Sequence, residues 1–169
     1  MKDVSSAINI SINVVGSPDA ADLDLATAVA KCALSRGKTF ANGVGSDQVN
    51  TWYSDTLGVT GGSNDTIDLQ GGGDEVDAFG NSLDIDKLKV LYLKNLSDAA
   101  MTIGPKAQGI SIVGDIATDV INLPVDGEIL MIFGGDGITV DSEHKDLFIA
   151  AGGSGTKDVE ILIVGVTSA

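Results

Sequence analysis

The sequence predicts a mainly β domain, built as an antiparallel sandwich or barrel with at most short helical turns, and three observations carry this. Apolar and polar residues alternate with a period of two in several short segments, as they do on half-buried strands. Turn signals recur about every 8–12 residues, and no amphipathic segment of helix length stands between the strands. Apolar residues make up 43% of the chain and aromatics only 4%, so the core is expected to be aliphatic. Its β-branched share favours strands.

The elements follow in order. Ile8-Asn9-Ile10-Ser11-Ile12-Asn13-Val14 alternates strictly and reads as a strand, closed by Gly16-Ser17-Pro18-Asp19. Residues 20–33 are ambiguous, because their alanines favour helix while Leu23-Asp24-Leu25 alternates like a strand. An irregular stretch with one or two helical turns is expected there. Residues 1–37 thus read as an N-terminal arm, or a strand plus an irregular segment, of a single β domain spanning 1–169.

From Lys38 the strand signals are continuous. Asn42-Gly43 is a strong turn dipeptide. Residues 49–59 hold β formers, among them Trp52 and Tyr53, and Gly61-Gly62-Ser63-Asn64 breaks the run. Thr66-Ile67-Asp68-Leu69 alternates again. Leu88-Lys89-Val90-Leu91-Tyr92-Leu93 is apolar enough for a central strand. Further strands are expected near 101–103, 109–113, 119–123, 128–133, 138–140, 146–151 and 159–166. The last of these has so few polar positions that it belongs in the middle of a sheet or against a partner chain.

Charge and composition exclude several functions. The net charge is −14 and Arg36 is the sole arginine, which leaves no clustered cations for DNA, RNA or anionic lipid. No stretch approaches the ~18 apolar residues of a membrane span, and no leader pattern opens the chain, so synthesis in a cytoplasm is expected. Cys32 is the one cysteine. It makes no internal disulfide and, within Ala28-Val29-Ala30-Lys31-Cys32-Ala33-Leu34, reads as a buried inert thiol.

Catalytic groups are equally sparse. His144 is the one histidine; it lies in Asp141-Ser142-Glu143-His144-Lys145-Asp146 and reads as a solvated loop residue without the companions of a triad. One His and one Cys far apart do not make a zinc site. Gly134-Gly135-Asp136-Gly137 and Gly152-Gly153-Ser154-Gly155-Thr156-Lys157 both lead into strands and read as turns, not phosphate loops. Carboxylate pairs for glycoside hydrolysis exist in any chain with 24 acids, but the aromatic platforms of sugar clefts are scarce. No enzyme activity and no cofactor are expected.

One pattern points to a metal. Gly62-Ser63-Asn64-Asp65-Thr66-Ile67-Asp68 is echoed by Gly71-Gly72-Gly73-Asp74-Glu75-Val76-Asp77, so that Asp65 and Asp74, and Asp68 and Asp77, share the nine-residue spacing of the calcium-binding β-roll. Calcium favours several oxygen ligands. Only two copies are present where stacking needs at least three, and Ser63 and Gln70 stand where glycine is required. The four aspartates are calcium candidates, with an ordinary acidic turn region as the simpler reading.

Several stretches resemble a family of small virion proteins of tailed bacteriophages. They are Phe40-Ala41-Asn42-Gly43-Val44-Gly45-Ser46-Asp47-Gln48, Trp52-Tyr53-Ser54-Asp55-Thr56-Leu57, Ile67-Asp68-Leu69, Val76-Asp77-Ala78-Phe79-Gly80-Asn81 and Leu88-Lys89-Val90-Leu91-Tyr92-Leu93-Lys94-Asn95, with Gly127-Glu128-Ile129-Leu130 and the aliphatic final strand. The chain departs from the pattern before Lys38. The resemblance implies a β-sandwich of jelly-roll type on the outer surface of a virion, as a capsid decoration or cement protein. It further implies a homo-oligomer, a trimer above other states, bound to the major capsid protein. The alternative is a tail- or fibre-associated module that binds a receptor glycan through an exposed aromatic such as Trp52 or Tyr53.

Overall fold

The computed structural model describes residues 6–16, 30–104, 109–110, 112 and 120–168. Among them lie twelve strands and no helix. β1 (Ser6–Gly16) and β2 (Ala30–Asn42) form an antiparallel ribbon paired from Ser6↔Phe40 to Gly16↔Ala30. Ala30 to Ala33, expected within an irregular stretch, are therefore strand, because ladder bonds to β1 override the helix preference of alanine. The rest of that stretch lies outside the described residues. β3 (Gln48–Val49) pairs in parallel with the end of β2.

The remaining strands make two antiparallel sheets. β4 (Thr51–Thr60), β6 (Lys87–Asn95), β9 (Glu128–Ile132), β10 (Ile138–Thr139) and β12 (Thr156–Val166) form the larger, in which β12 pairs β4 and β6, and β9 and β10 both pair β6. β5 (Asn64–Asp68), β7 (Met101–Gly104), β8 (Ile121–Leu123) and β11 (Asp146–Ala151) form the smaller, in the order β5-β11-β7-β8. Both sheets contribute to one aliphatic core, which includes Val59, Leu91, Leu93, Ile161 and Ile163 from the larger and Ile67, Ile103 and Ile149 from the smaller.

The final strand lies between β4 and β6, in mid-sheet as its composition requires. Of the stretch 109–113, Gly109 makes an isolated bridge to Asp146 and Ile112 is a bend, while 111 and 113 lie outside the described residues.

β6 is apolar on both faces because its sheet is covered on both. Leu91 and Leu93 face the main core, whereas Val90 and Val164 of β12 meet Phe40 and Val49 in a second cluster on the far side. A β-bulge adjusts this strand. Val164 pairs with Val90 and Gly165 with Leu88, which leaves Lys89 as the extra residue. The bulge resets the alternation, so Leu88 joins Leu91 in the main core. Gly165 has no room for a side chain: a Cβ there would stand 2.7 Å from the Lys87 carbonyl oxygen and 2.8 Å from Ile85 Cγ2.

Candidate interaction surfaces

The larger sheet presents its far face in rows set by register, since directly paired residues share a face. Trp52, Val164, Val90 and Ile132 form one row, and Ser54, Leu162, Tyr92 and Leu130 the next. Then the chemistry changes to Thr56, Glu160, Lys94 and Glu128. Phe40 and Val49 seal the middle of the first row. Beyond that seal Trp52 is 38% exposed and Leu130 37%. Tyr92 marks the border between apolar and acidic rows. Burial raises its phenol, as does its hydrogen bond to Glu128 Oε2 at 3.2 Å.

Alternation separates the two aromatics of β4. Tyr53 is buried in the main core and Trp52 faces outward, so of the two expected carriers of an exposed ring only Trp52 is one. Burial foremost, and then Asp55, to which Tyr53 donates a 3.2 Å hydrogen bond, raise the Tyr53 phenol far above its ordinary value.

A second surface lies on two adjoining loops, and Asn95 builds it. Its side chain is fully buried at the end of β6. Nδ2 donates to the carbonyls of Ala99 (2.8 Å) and Pro124 (2.9 Å), while Oδ1 accepts from the Ser97 N–H (2.9 Å) and hydroxyl (2.7 Å). One amide thus ties the loop after β6 to the turn Pro124-Val125-Asp126-Gly127, closed by Gly127 N–H to Pro124 O at 3.0 Å. The two braced loops carry Leu96, 47% exposed, and Val125, 46% exposed. Apolar side chains on a rigid loop are ready for a contact without further ordering cost.

The four calcium candidates serve separate roles. Asp65 accepts the Thr66 N–H at 2.8 Å. Asp68 pairs with Lys145 and accepts the Gln70 N–H at 2.8 Å. Burial alone would raise its carboxyl, but the Lys145 and backbone hydrogen bonds outweigh it and hold it below the usual aspartate range. Asp74 is exposed beside Glu75. Asp77 is buried, and Oδ1 accepts the N–H groups of Phe79 (2.9 Å) and Asn81 (2.8 Å). These bonds, with those from the Asn81 and Thr51 side chains, outweigh burial and lower its carboxyl too.

β5 pairs antiparallel with β11, unlike the parallel coils of a β-roll. Among the described residues no three His, Cys, Asp or Glu side chains converge as metal ligands. Asp74 and Glu75 instead line a shallow hollow of about 260 Å³ with Tyr53, Asp55, Leu57 and Val76. That volume falls below the ~300–1,000 Å³ of small-molecule sites. Glu75 Oε2 is buried there without a hydrogen-bond partner.

His144 stands in a turn, half exposed, with Nδ1 3.0 Å from Asp141 Oδ1. Cys32 lies opposite Val14 in the ribbon. Gly134-Gly135-Asp136-Gly137 is a turn closed by Gly137 N–H to Gly134 O at 2.8 Å. Its Gly135 carbonyl accepts the ammonium of the bulged Lys89, whose burial lowers the lysine against the opposing pull of Asp136 and Asp47.

Sequence reasoning missed the Asn95 brace. Its signal is small: an Asn with Ser two residues on, next to a leucine in a polar loop. Comparison of the chain with family models, with curated proteins and with solved structures finds no match.

Proposed function

We propose that the chain is a structural virion protein of a tailed bacteriophage, a capsid decoration protein that binds the major capsid protein and stabilises the head. It is made in the host cytoplasm, assembles as a trimer, and sits on the outer surface of the shell. The observation that carries this reading is the braced loop pair with Leu96 and Val125, a preformed apolar contact surface on a domain whose acids otherwise dominate.

The fold supports it. Counting β4 to β12 with β9 and β10 as one position, the sheet orders β4-β12-β6-β9 and β5-β11-β7-β8 interleave as two Greek keys do, and this strand order favours a jelly roll. Jelly rolls are common in capsid and lectin domains. Each 100 Å² of apolar surface buried against a shell contributes roughly 2.5 kcal/mol before association costs. Repetition over many sites multiplies small contacts into shell stability. Excess negative charge keeps the protein off packaged DNA.

Heads that lack the protein test the proposal. Added chain should bind them to a saturable stoichiometry and raise their resistance to heat, and Leu96→Asp should abolish both. Uptake without saturation sinks the idea. The alternative, a tail- or fibre-associated glycan-binding module, is favoured by the exposed Trp52 ring. It requires that sugars perturb the tryptophan fluorescence, and an indifferent spectrum removes it.

A further inference from the structure

Of the strands that end the two sheets, β8, β9 and β10 have three, five and two residues, whereas β4 has ten. β4 runs through a glycine corner, Gly61-Gly62, into β5, which ends the smaller sheet. A long edge strand offers a row of unpaired N–H and C=O groups to any other chain, and a folded protein has to blunt it.

The hydrogen bonds fix which backbone groups line these edges. The Trp52 carbonyl accepts the Ala78 N–H at 2.9 Å from outside the sheet, so the even-numbered residues of β4 point their backbone groups away from β12. Ser54, Thr56 and Gly58 are exposed and continue that row. In β5, the Leu69 N–H donates to the Lys145 carbonyl and the Ser63 carbonyl accepts from Ala151. Odd-numbered residues there face β11, and the Thr66 N–H faces the free edge.

At both edges an aspartate turns onto the next residue. Asp55 Oδ1 accepts the Thr56 N–H at 2.7 Å, and Asp65 Oδ1 accepts the Thr66 N–H at 2.8 Å. Alternation also sets both aspartates on the inward sides of their strands. Asp55 stands between Tyr53 and Leu57, and Asp65 two residues before Ile67, all members of the main core or packed on it. Asp55, Glu75 and Asp65 each act on the Tyr53 phenol through space, so the two edges meet at one acidic mouth between the sheets. Among the described residues no ion pair neutralises these three acids.

We propose that Asp55 and Asp65 close this side of the molecule to strand addition by a second copy of the chain. Each caps a free-edge N–H group, and together with Glu75 they charge the gap that an added strand would cover. Inward-facing charges on an edge strand oppose pairing because covering them without a counter-charge is costly. The block directs self-association to other surfaces, and it holds with or without a capsid.

Light scattering and native mass spectrometry of the full chain test this. Asp55→Val with Asp65→Val removes both caps and both charges, and should raise self-association over the wild type roughly tenfold or more. Asp55→Asn with Asp65→Asn keeps an oxygen for each N–H and removes only charge, so it should fall between the two. Thr56→Pro added to the valine pair takes a donor from the free edge and leaves the β4–β12 ladder intact. It should restore the wild-type mass. Ile103→Val, which loosens the core away from both edges, should keep that mass as well.

Wild-type mass in the valine and asparagine pairs alike overturns the proposal. So does association that survives Thr56→Pro or that Ile103→Val reproduces, since it then arises elsewhere on the surface or from lost stability. If a valine or proline variant fails to fold by circular dichroism, the asparagine pair and Thr56→Lys give the same readouts, because an edge lysine also opposes strand addition.

Discussion

Asp77 shows how single residues hold this acidic chain together. Its carboxylate is buried yet held below the usual aspartate range by N–H donors from Phe79 and Asn81. Asp68, bonded to Lys145 and Gln70, is lowered as well. Because both folded values lie below the unfolded ones, the folded state binds fewer protons as acid is added. The stabilisation is complete above the unfolded pKa and is lost as pH falls through the folded value.

Asp77→Asn should therefore cost about 1–2 kcal/mol near neutrality. It should also shrink the difference in unfolding free energy between about pH 7 and about pH 3. Denaturant unfolding at both pH values measures this, and an unchanged difference contradicts the role. Because Asp65, Asp68 and Asp77 accept backbone N–H groups and Asp68 also pairs with Lys145, EDTA should leave the Tm unchanged; a clear drop would restore a metal at Asp65, Asp68, Asp74 and Asp77.

At the scale of elements, the bulge in β6 sets which residues meet the core. Gly165→Val should destabilise the chain by about 2–4 kcal/mol, because the added atoms collide with the Lys87 carbonyl and Ile85 across the bulge. A Tm equal to wild type would contradict the packing. The strands themselves were legible, because Thr66-Ile67-Asp68-Leu69 alternates and residues 159–166 of β12 hold a single charged side chain, Glu160.

The bulge was not legible, since a lysine inside Leu88-Lys89-Val90 gives no sign that two successive residues face one partner. Nor was the start of β2, where alanines that prefer helix in isolation are fixed by pairing with β1. The interaction surfaces depend on register between distant strands. Trp52 meets Val164 across 112 positions of sequence, and no local pattern encodes that pairing. The glycan-binding alternative named Trp52 or Tyr53 as an exposed ring, and which of the two faces outward required the sheet.

For the whole molecule, the proposed role makes the loop pair braced by Asn95 the surface that meets the shell. Asn95→Ala should cost about 1–3 kcal/mol, since it removes the buried amide that bonds the carbonyls of Ala99, Leu123 and Pro124 and the Ser97 N–H. It should weaken head binding more than a surface substitution at Lys94, as binding isotherms on undecorated heads would show.

Electron cryomicroscopy of the assembled particle tests the central claim most directly. The account predicts density for the chain at symmetric positions on the outer capsid surface, with the loops of Leu96 and Val125 against the coat protein. Density confined to the tail or a fibre, or a particle that contains none of the chain, would contradict it.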